Sequence, residues 1–134
     1  MGTWGPGPFD NDHAADFADD LDETEADQRA DVIRQALSAV AGHGQTTSRA
    51  ADPGIAAAAL VAAQQPGGAP TDSVYGPEEP IPPLPHDLVA LAADVLDRVV
   101  APDSEVKELW AETADDHPWH DEIAKLRAAL TKDG

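Results

Sequence analysis

Cysteine and basic residues are the scarce components of this 134-residue sequence. Because cysteine is absent, disulfides, thiolate nucleophiles and sulfur-ligated metals are excluded. Only 8 Lys and Arg stand against 26 Asp and Glu, which gives a formal net charge of -18 at neutral pH. Proteins that grip nucleic-acid phosphates or anionic lipids bring positive charge to their surface. We therefore expect neither direct nucleic-acid phosphate binding nor membrane binding.

Large apolar residues and long apolar runs are also few. Alanine supplies 26 residues, whereas Leu, Ile, Val and Phe together supply only 25. The longest apolar run, residues 55–63, is nine residues long and mostly alanine, while a membrane-spanning helix needs about 20. The first residues lack the basic and apolar regions of a secretory signal. These features predict a soluble, cytoplasmic protein.

Proline and charge divide the chain into parts. Residues 66–85 contain seven prolines and three glycines, a density typical of an extended connector and unsuited to helix interiors. We predict a single helical domain, 1–134, with N-terminal helices in 1–65 and C-terminal helices in 86–134. The segment from Pro80 to Pro83 could also be read by an aromatic groove of a partner, although a stiff spacer is the favoured interpretation.

Apolar residues at helical spacing predict an all-α fold, a small bundle of about six short helices. An N-terminal Gly/Pro-rich aromatic loop and the Pro-rich connector complete it. The predicted inward-facing residues are Ala14, Phe17 and Leu21; Ala26, Ala30, Ile33, Leu37 and Val40; Ala56, Ala59, Leu60 and Ala63; Leu88, Leu91, Ala92, Val95 and Val99; Val106, Leu109 and Trp110; and Trp119, Ile123, Leu126 and Leu130.

Capping residues predict where these helices begin. Asn11 or Asp12 can cap the first helix, and Thr24 followed by Asp27 resembles a capping box for the second. The third helix is predicted to begin at Asp52, with Pro53 in its first turn. Ser104 is predicted to cap the fifth helix, and Asp116 with Pro118 to open the sixth.

Both ends of the chain carry a recognisable string. Residues 1–17 follow the pattern Met-Gly-x-Trp-Gly-x-Gly-x-Phe-x-Asn-Asp-x-Ala-x-Asp and then an aromatic residue, with the spacing read along Met1 to Phe17. Residues 104–110, Trp119 and residues 126–130 resemble the usual ending of the same family. The sequence thus resembles a bacterial family known only as a domain of unknown function. The resemblance implies a small α-helical fold and supplies no reaction.

The N-terminal loop has two interpretations. Gly5 and Gly7 allow a tight backbone that can aim Trp4 and Phe9 inward, which favours a clasp at one end of the bundle. Alternatively, Trp4 and Phe9 shape a binding surface. A glycine-rich loop before a helix can bind phosphate, but Asp10 and its neighbouring acids would place negative charge at that helix end.

Two groups of residues in the sequence contain side chains that can bind metal ions. The acids between Asp10 and Asp27 do not follow a calcium-loop pattern, because Ala14 and Ala15 occupy positions that need a ligand and a glycine. His117, His120 and Glu122 have a spacing that could place ligands on one side of a helix, so a metal-dependent enzyme is the alternative hypothesis. The favoured interpretation is that these residues are ordinary polar side chains beside a core tryptophan. We predict no cofactor.

No catalytic or nucleotide-binding motif is found in the sequence. The first 28 residues hold nine acids and no Lys or Arg, so the first helix is predicted to expose an acidic surface. The favoured function is a non-catalytic protein-binding or inhibitor module, of the immunity or antitoxin kind, that binds a basic protein partner. Its predicted contact residues are Asp16, Asp19, Asp20 and Glu23, with Trp4 and Phe9 beside them. A domain whose acidity serves only solubility is the third possibility.

Overall fold

The computed structural model describes residues 12–42, 46–64, 84–112 and 117–131 of the chain. Six α-helices lie within these ranges, and no strand does. They are α1 (Asp12–Glu23), α2 (Arg29–Ala41), α3 (Ser48–Ala63), α4 (Asp87–Val99), α5 (Glu105–Ala111) and α6 (His117–Thr131), with a 3₁₀ turn at Ala26–Gln28 before α2. The predicted all-α bundle is therefore confirmed.

Helix α3 lies at the centre of the bundle and packs against α1, α2, α4, α5 and α6. Every residue from Gly54 to Ala62 is buried. A helix that is apolar on all sides is typical of such a central position. The sequence predicted a single apolar stripe that included Ala63, but Ala63 is only partly buried and the buried surface surrounds the helix. Small alanine side chains let the other helices approach from several directions.

The predicted start of α3 at Asp52 was wrong. The helix begins at Ser48, and the amides of Ala50 and Ala51 both donate to the carbonyl oxygen of Thr47, at 3.0 and 2.7 Å. Pro53 lies inside the helix and cannot donate a backbone hydrogen bond of its own. Burial of the surrounding helix offsets this loss, so the proline does not mark the helix start.

Gly54 allows the closest approach between three helices. A Cβ atom at this position would lie 2.8 Å from Cγ2 of Val40 in α2 and 3.4 Å from Cγ1 of Val95 in α4. The same atom would lie 3.4 Å from the carbonyl oxygen of Ala36. A methyl group does not fit without movement of its neighbours. The absence of a side chain here sets how closely α3 packs against α2 and α4.

The predicted apolar faces of the other helices are confirmed for most residues. The buried members include Ala14, Phe17 and Leu21 of α1, Ile33, Leu37 and Val40 of α2, Leu88, Ala92, Val95 and Val99 of α4, Val106 of α5, and Trp119, Ile123 and Leu130 of α6. Two exceptions are Leu109, which is 50% exposed, and Ala26, which is exposed in the 3₁₀ turn before α2. Helix α5 has only seven residues and buries Val106, whereas Leu109 lies on its outer side.

Thr24 ends α1 and does not begin α2, which corrects the predicted capping box. Its hydroxyl donates to the carbonyl oxygen of Asp20 at 2.6 Å, so it satisfies an acceptor in the last turn of α1. Helix α2 begins five residues later, at Arg29, and its N-cap residue Gln28 makes no side-chain capping bond. The residues that the sequence pattern predicted as the first turn of α2 form the 3₁₀ turn Ala26–Gln28.

The N-terminus of α5 is held by Ser104 and Thr46. The Ser104 hydroxyl accepts a hydrogen bond from the Lys107 amide at 3.2 Å, which confirms the predicted cap. The Glu105 amide donates to the Thr46 hydroxyl at 3.1 Å, and the Val106 amide donates to the Thr46 carbonyl at 2.9 Å. These bonds join α5 to the segment before α3 and satisfy amides that a helix start leaves free.

Replacing Ser104 with alanine is expected to lower the free energy of unfolding by about 1 kcal/mol, the usual cost of losing an N-cap oxygen. Ser104 is fully buried, so its removal also leaves the Lys107 amide without its acceptor. Urea unfolding monitored by circular dichroism measures the change. Asp103→Ala changes the exposed neighbouring side chain, leaves the cap in place and is the control; equal losses in both variants would contradict a capping role.

A hydrogen bond joins the two sides of the predicted connector. The Leu84 amide donates to Oε1 of Gln64 at 2.9 Å, which ties the chain three residues before α4 to the residue that follows α3. Residues 65–83, which include most of the predicted connector, lie outside the described residues. None of the helices in the described part of the chain combines the length and the hydropathy that a membrane span requires.

Candidate functional site

Helix α1 separates its acidic and apolar residues onto two opposite faces. The acids predicted to contact a partner follow one another at intervals of three, one and three residues, which places them on one side of a helix. All four are exposed: Asp16, Asp19, Asp20 and Glu23. The opposite side is buried and consists of Ala14, Phe17, Ala18 and Leu21. We call the four exposed carboxylates the acidic face.

The acidic face is not neutralised by its described surroundings. Among the described residues, none of its four carboxylates lies within 4.0 Å of a basic nitrogen. Several cations are paired with acids outside α1 instead. Their ion pairs are Arg34 with Asp87 at 2.6 Å, Arg127 with Asp97 at 2.9 Å, and Lys125 with Glu122 at 3.6 Å. The negative charge of α1 therefore faces solvent.

Further exposed acids continue beyond the end of α1. Glu25 and Asp27 follow it in the chain, and Asp31 lies in the first turn of α2. An acid in the first turn of a helix is stabilised by the helix dipole, so Asp31 has a structural reason to be there. Glu23 is at the opposite, C-terminal end of α1, where the dipole disfavours a carboxylate. Glu23 thus has no such structural reason.

Trp4 and Phe9 lie outside the described residues. Their predicted role, as a clasp or as part of a binding surface, therefore stays a prediction. Phe17 is the aromatic residue that α1 itself contributes to the core.

The alternative metal site is only partly within the described chain. The His120 ring packs edge-on against Trp119, with ring centroids 4.9 Å apart, and Glu122 pairs with Lys125 one turn later on α6. The side chain of His117 is outside the description. Within the described ranges, no three His, Asp or Glu side chains are grouped closely enough to hold a metal ion.

The two tryptophans of the C-terminal helices stack on each other at the core. Trp110 of α5 and Trp119 of α6 stack with ring centroids 6.0 Å apart and planes 14° apart. Trp119 is only 3% exposed, as expected for a core tryptophan. Stacking of this kind adds to the stabilisation from burial. The edge-on contact places the His120 ring beside Trp119 of this stacked pair.

Sequence reasoning missed two buried charged residues, Arg29 and Asp52, each 7% exposed. Nε of Arg29 donates to the carbonyl oxygens of Leu21 and Thr24, both at 2.9 Å, so this guanidinium closes the C-terminal end of α1. Asp52 lies within α3, and burial raises its pKa from 3.8 to about 6, an effect reduced by attraction to His13. The sequence showed Asp52 only as a supposed helix cap.

These observations define a class of protein: a small all-helical domain whose first helix buries one face and exposes a second, strongly acidic one. The chain belongs to the DUF4259 family, a domain of unknown function, and the family's pattern matches residues 2–122. The prediction that the chain belongs to a domain of unknown function is thereby confirmed. No curated protein and no solved structure matches the chain.

Proposed function

We propose that this protein is a non-catalytic binding module that recognises a basic protein partner through the acidic face of α1. The observation that supports the proposal is the alignment of four exposed carboxylates without a described cation beside them. An inhibitor of the immunity or antitoxin kind is the form of binding module that we favour. The sequence provides no catalytic motif that would favour an enzyme.

The packing of α1 suits recognition of this kind. Phe17 and Leu21 fix the helix to the core, and the Thr24 hydroxyl and the Arg29 guanidinium hold its C-terminal end. A surface on a fixed helix loses little conformational entropy when it binds. Charge of one sign on such a surface accelerates association with an oppositely charged partner, and salt weakens this effect.

The acidic face is tested by removing its four charges together. We expect a variant with Asp16→Asn, Asp19→Asn, Asp20→Asn and Glu23→Gln to bind the partner roughly 10- to 100-fold more weakly, because exposed ion pairs each contribute about 0.2–1 kcal/mol. The partner is first isolated from a cell lysate at low salt as a stoichiometric complex. Isothermal titration calorimetry with the purified partner then measures the dissociation constant.

A matched variant controls for net charge. Asp103→Asn, Glu108→Gln, Glu112→Gln and Asp121→Asn remove four exposed carboxylates from other parts of the surface. Both variants change the formal charge from -18 to -14. We expect the control to bind as the wild type does. Equal weakening of binding in both variants would contradict the proposal, and so would failure to find any stoichiometric partner. Stoichiometric metal in the purified protein would favour the alternative hypothesis, an enzyme that uses His117, His120 and Glu122.

A further inference from the structure

Asp52 is a buried carboxyl on the side of α3 that faces α1. Gly54, two residues later, faces Val40 of α2 and Val95 of α4. Two residues correspond to about 200° of rotation around a helix, so Asp52 points away from α2 and α4. Among the described residues, the charged group that acts on it is His13, in the first turn of α1. Asp52 therefore lies beneath the beginning of α1.

Little compensates the charge of the buried carboxylate. None of the hydrogen bonds between described residues involves Asp52, and His13 is exposed. Arg49, three residues earlier on α3, is also exposed. No charged group among the described residues of α2, α4, α5 or α6 affects the pKa of Asp52. A carboxylate with so few partners is more stable in this position when it is protonated.

The direction of the pH effect follows from the raised pKa. Burial raises the pKa of Asp52 from 3.8 to about 6 when α1 is in place. Because the pKa is raised in the folded state, the contribution of Asp52 to the stability of that state is fully present below pH 3.8. It is lost as the pH rises through about 6. Ionisation therefore favours any state in which this carboxyl returns to water.

We propose that Asp52 makes the seating of α1 on α3 pH-dependent, so that α1 is held more firmly in mildly acidic than in slightly alkaline solution. Opening of α1 exposes Asp52 to water, whereas the contacts of α3 with α2 and α4 lie on another side of the helix. Because α1 carries the acidic face, the same titration would regulate the proposed binding site. Only that consequence rests on the proposed function.

Amide hydrogen exchange followed by NMR tests the proposal on the full chain. Between about pH 5 and about pH 7.5, we expect the opening equilibrium of α1 to increase about tenfold after correction for intrinsic exchange rates. The opening equilibrium of helix α4 is expected to increase less over the same pH range. The Asp52→Asn variant cannot ionise at this position and should lose the increase, whereas Asp94→Asn, an exposed carboxyl on α4, should keep it.

Three results would overturn the proposal. The first is an equal change of protection in α1 and α4, and the second is an undiminished increase in Asp52→Asn. The third is a wild-type Asp52 pKa near 4 in a carboxyl ¹³C titration, a measurement that needs no variant. None of these experiments involves a binding partner. A failure here is therefore distinguishable from a failure of the acidic face to bind.

Discussion

The Gly54→Val variant is expected to unfold with a free energy about 3 kcal/mol lower than that of the wild type. The first added carbon would lie 2.8 Å from Cγ2 of Val40, and valine adds two further methyl groups at the crossing of α2, α3 and α4. Val40 and Val95 are fully buried and β-branched, so their side chains cannot rotate away freely. Overpacking of this kind typically costs 1–3 kcal/mol and occasionally more.

Urea unfolding followed by circular dichroism measures this difference. Ala90→Val is a suitable control, because Ala90 is exposed on α4 and the substitution places a valine in a helix without a steric conflict. Its expected cost is about 0.5 kcal/mol, which reflects helix propensity alone. If the two variants unfold at similar urea concentrations, close packing of the helices does not exclude a larger side chain at position 54, and the steric explanation for Gly54 is wrong.

Regular apolar spacing explains why most helices could be predicted from the sequence. In α4, Leu88, Ala92, Val95 and Val99 recur at intervals of three and four residues, and all are buried. Such spacing identifies a helix that turns one face to a core. For helix α3 the spacing predicted a single apolar face, but the helix is surrounded by other helices and is buried on all sides from Gly54 to Ala62. Its N-terminus was misplaced because Pro53 resembles a first-turn proline but lies in the helix interior.

The exposed part of the candidate site could be predicted for the same reason. The face of α1 opposite its apolar residues carries four acids, and the structure shows that all four are exposed: Asp16, Asp19, Asp20 and Glu23. The buried charges could not be predicted. A sequence pattern treats Arg and Asp as surface residues, which is correct for most of them. The burial of Arg29 depends on carbonyl oxygens that become available only after α1 ends and the chain turns.

Replacement of Arg29 by methionine is expected to lower the free energy of unfolding by about 2–3 kcal/mol. Methionine keeps much of the apolar stem, so the change chiefly removes the guanidinium that binds the carbonyl oxygens of Leu21 and Thr24. The oxygen of Leu21 keeps the Thr24 amide as a donor, at 3.1 Å, but loses the charged donor at this buried helix end. Hydrogen bonds from charged groups contribute about 1.5–3 kcal/mol, and this substitution removes one charged donor from two carbonyl oxygens.

Arg34→Met makes the same chemical change on the same helix and serves as the control. The Arg34 guanidinium forms two hydrogen bonds with Asp87, at 2.6 and 3.3 Å, but the pair is largely exposed. Its loss is expected to cost less than about 1 kcal/mol, since solvent and salt screen exposed ion pairs. Thermal and urea unfolding of both variants measure the contrast. A smaller loss for Arg29→Met than for Arg34→Met would mean that the end of α1 is held by its apolar contacts and not by the buried guanidinium.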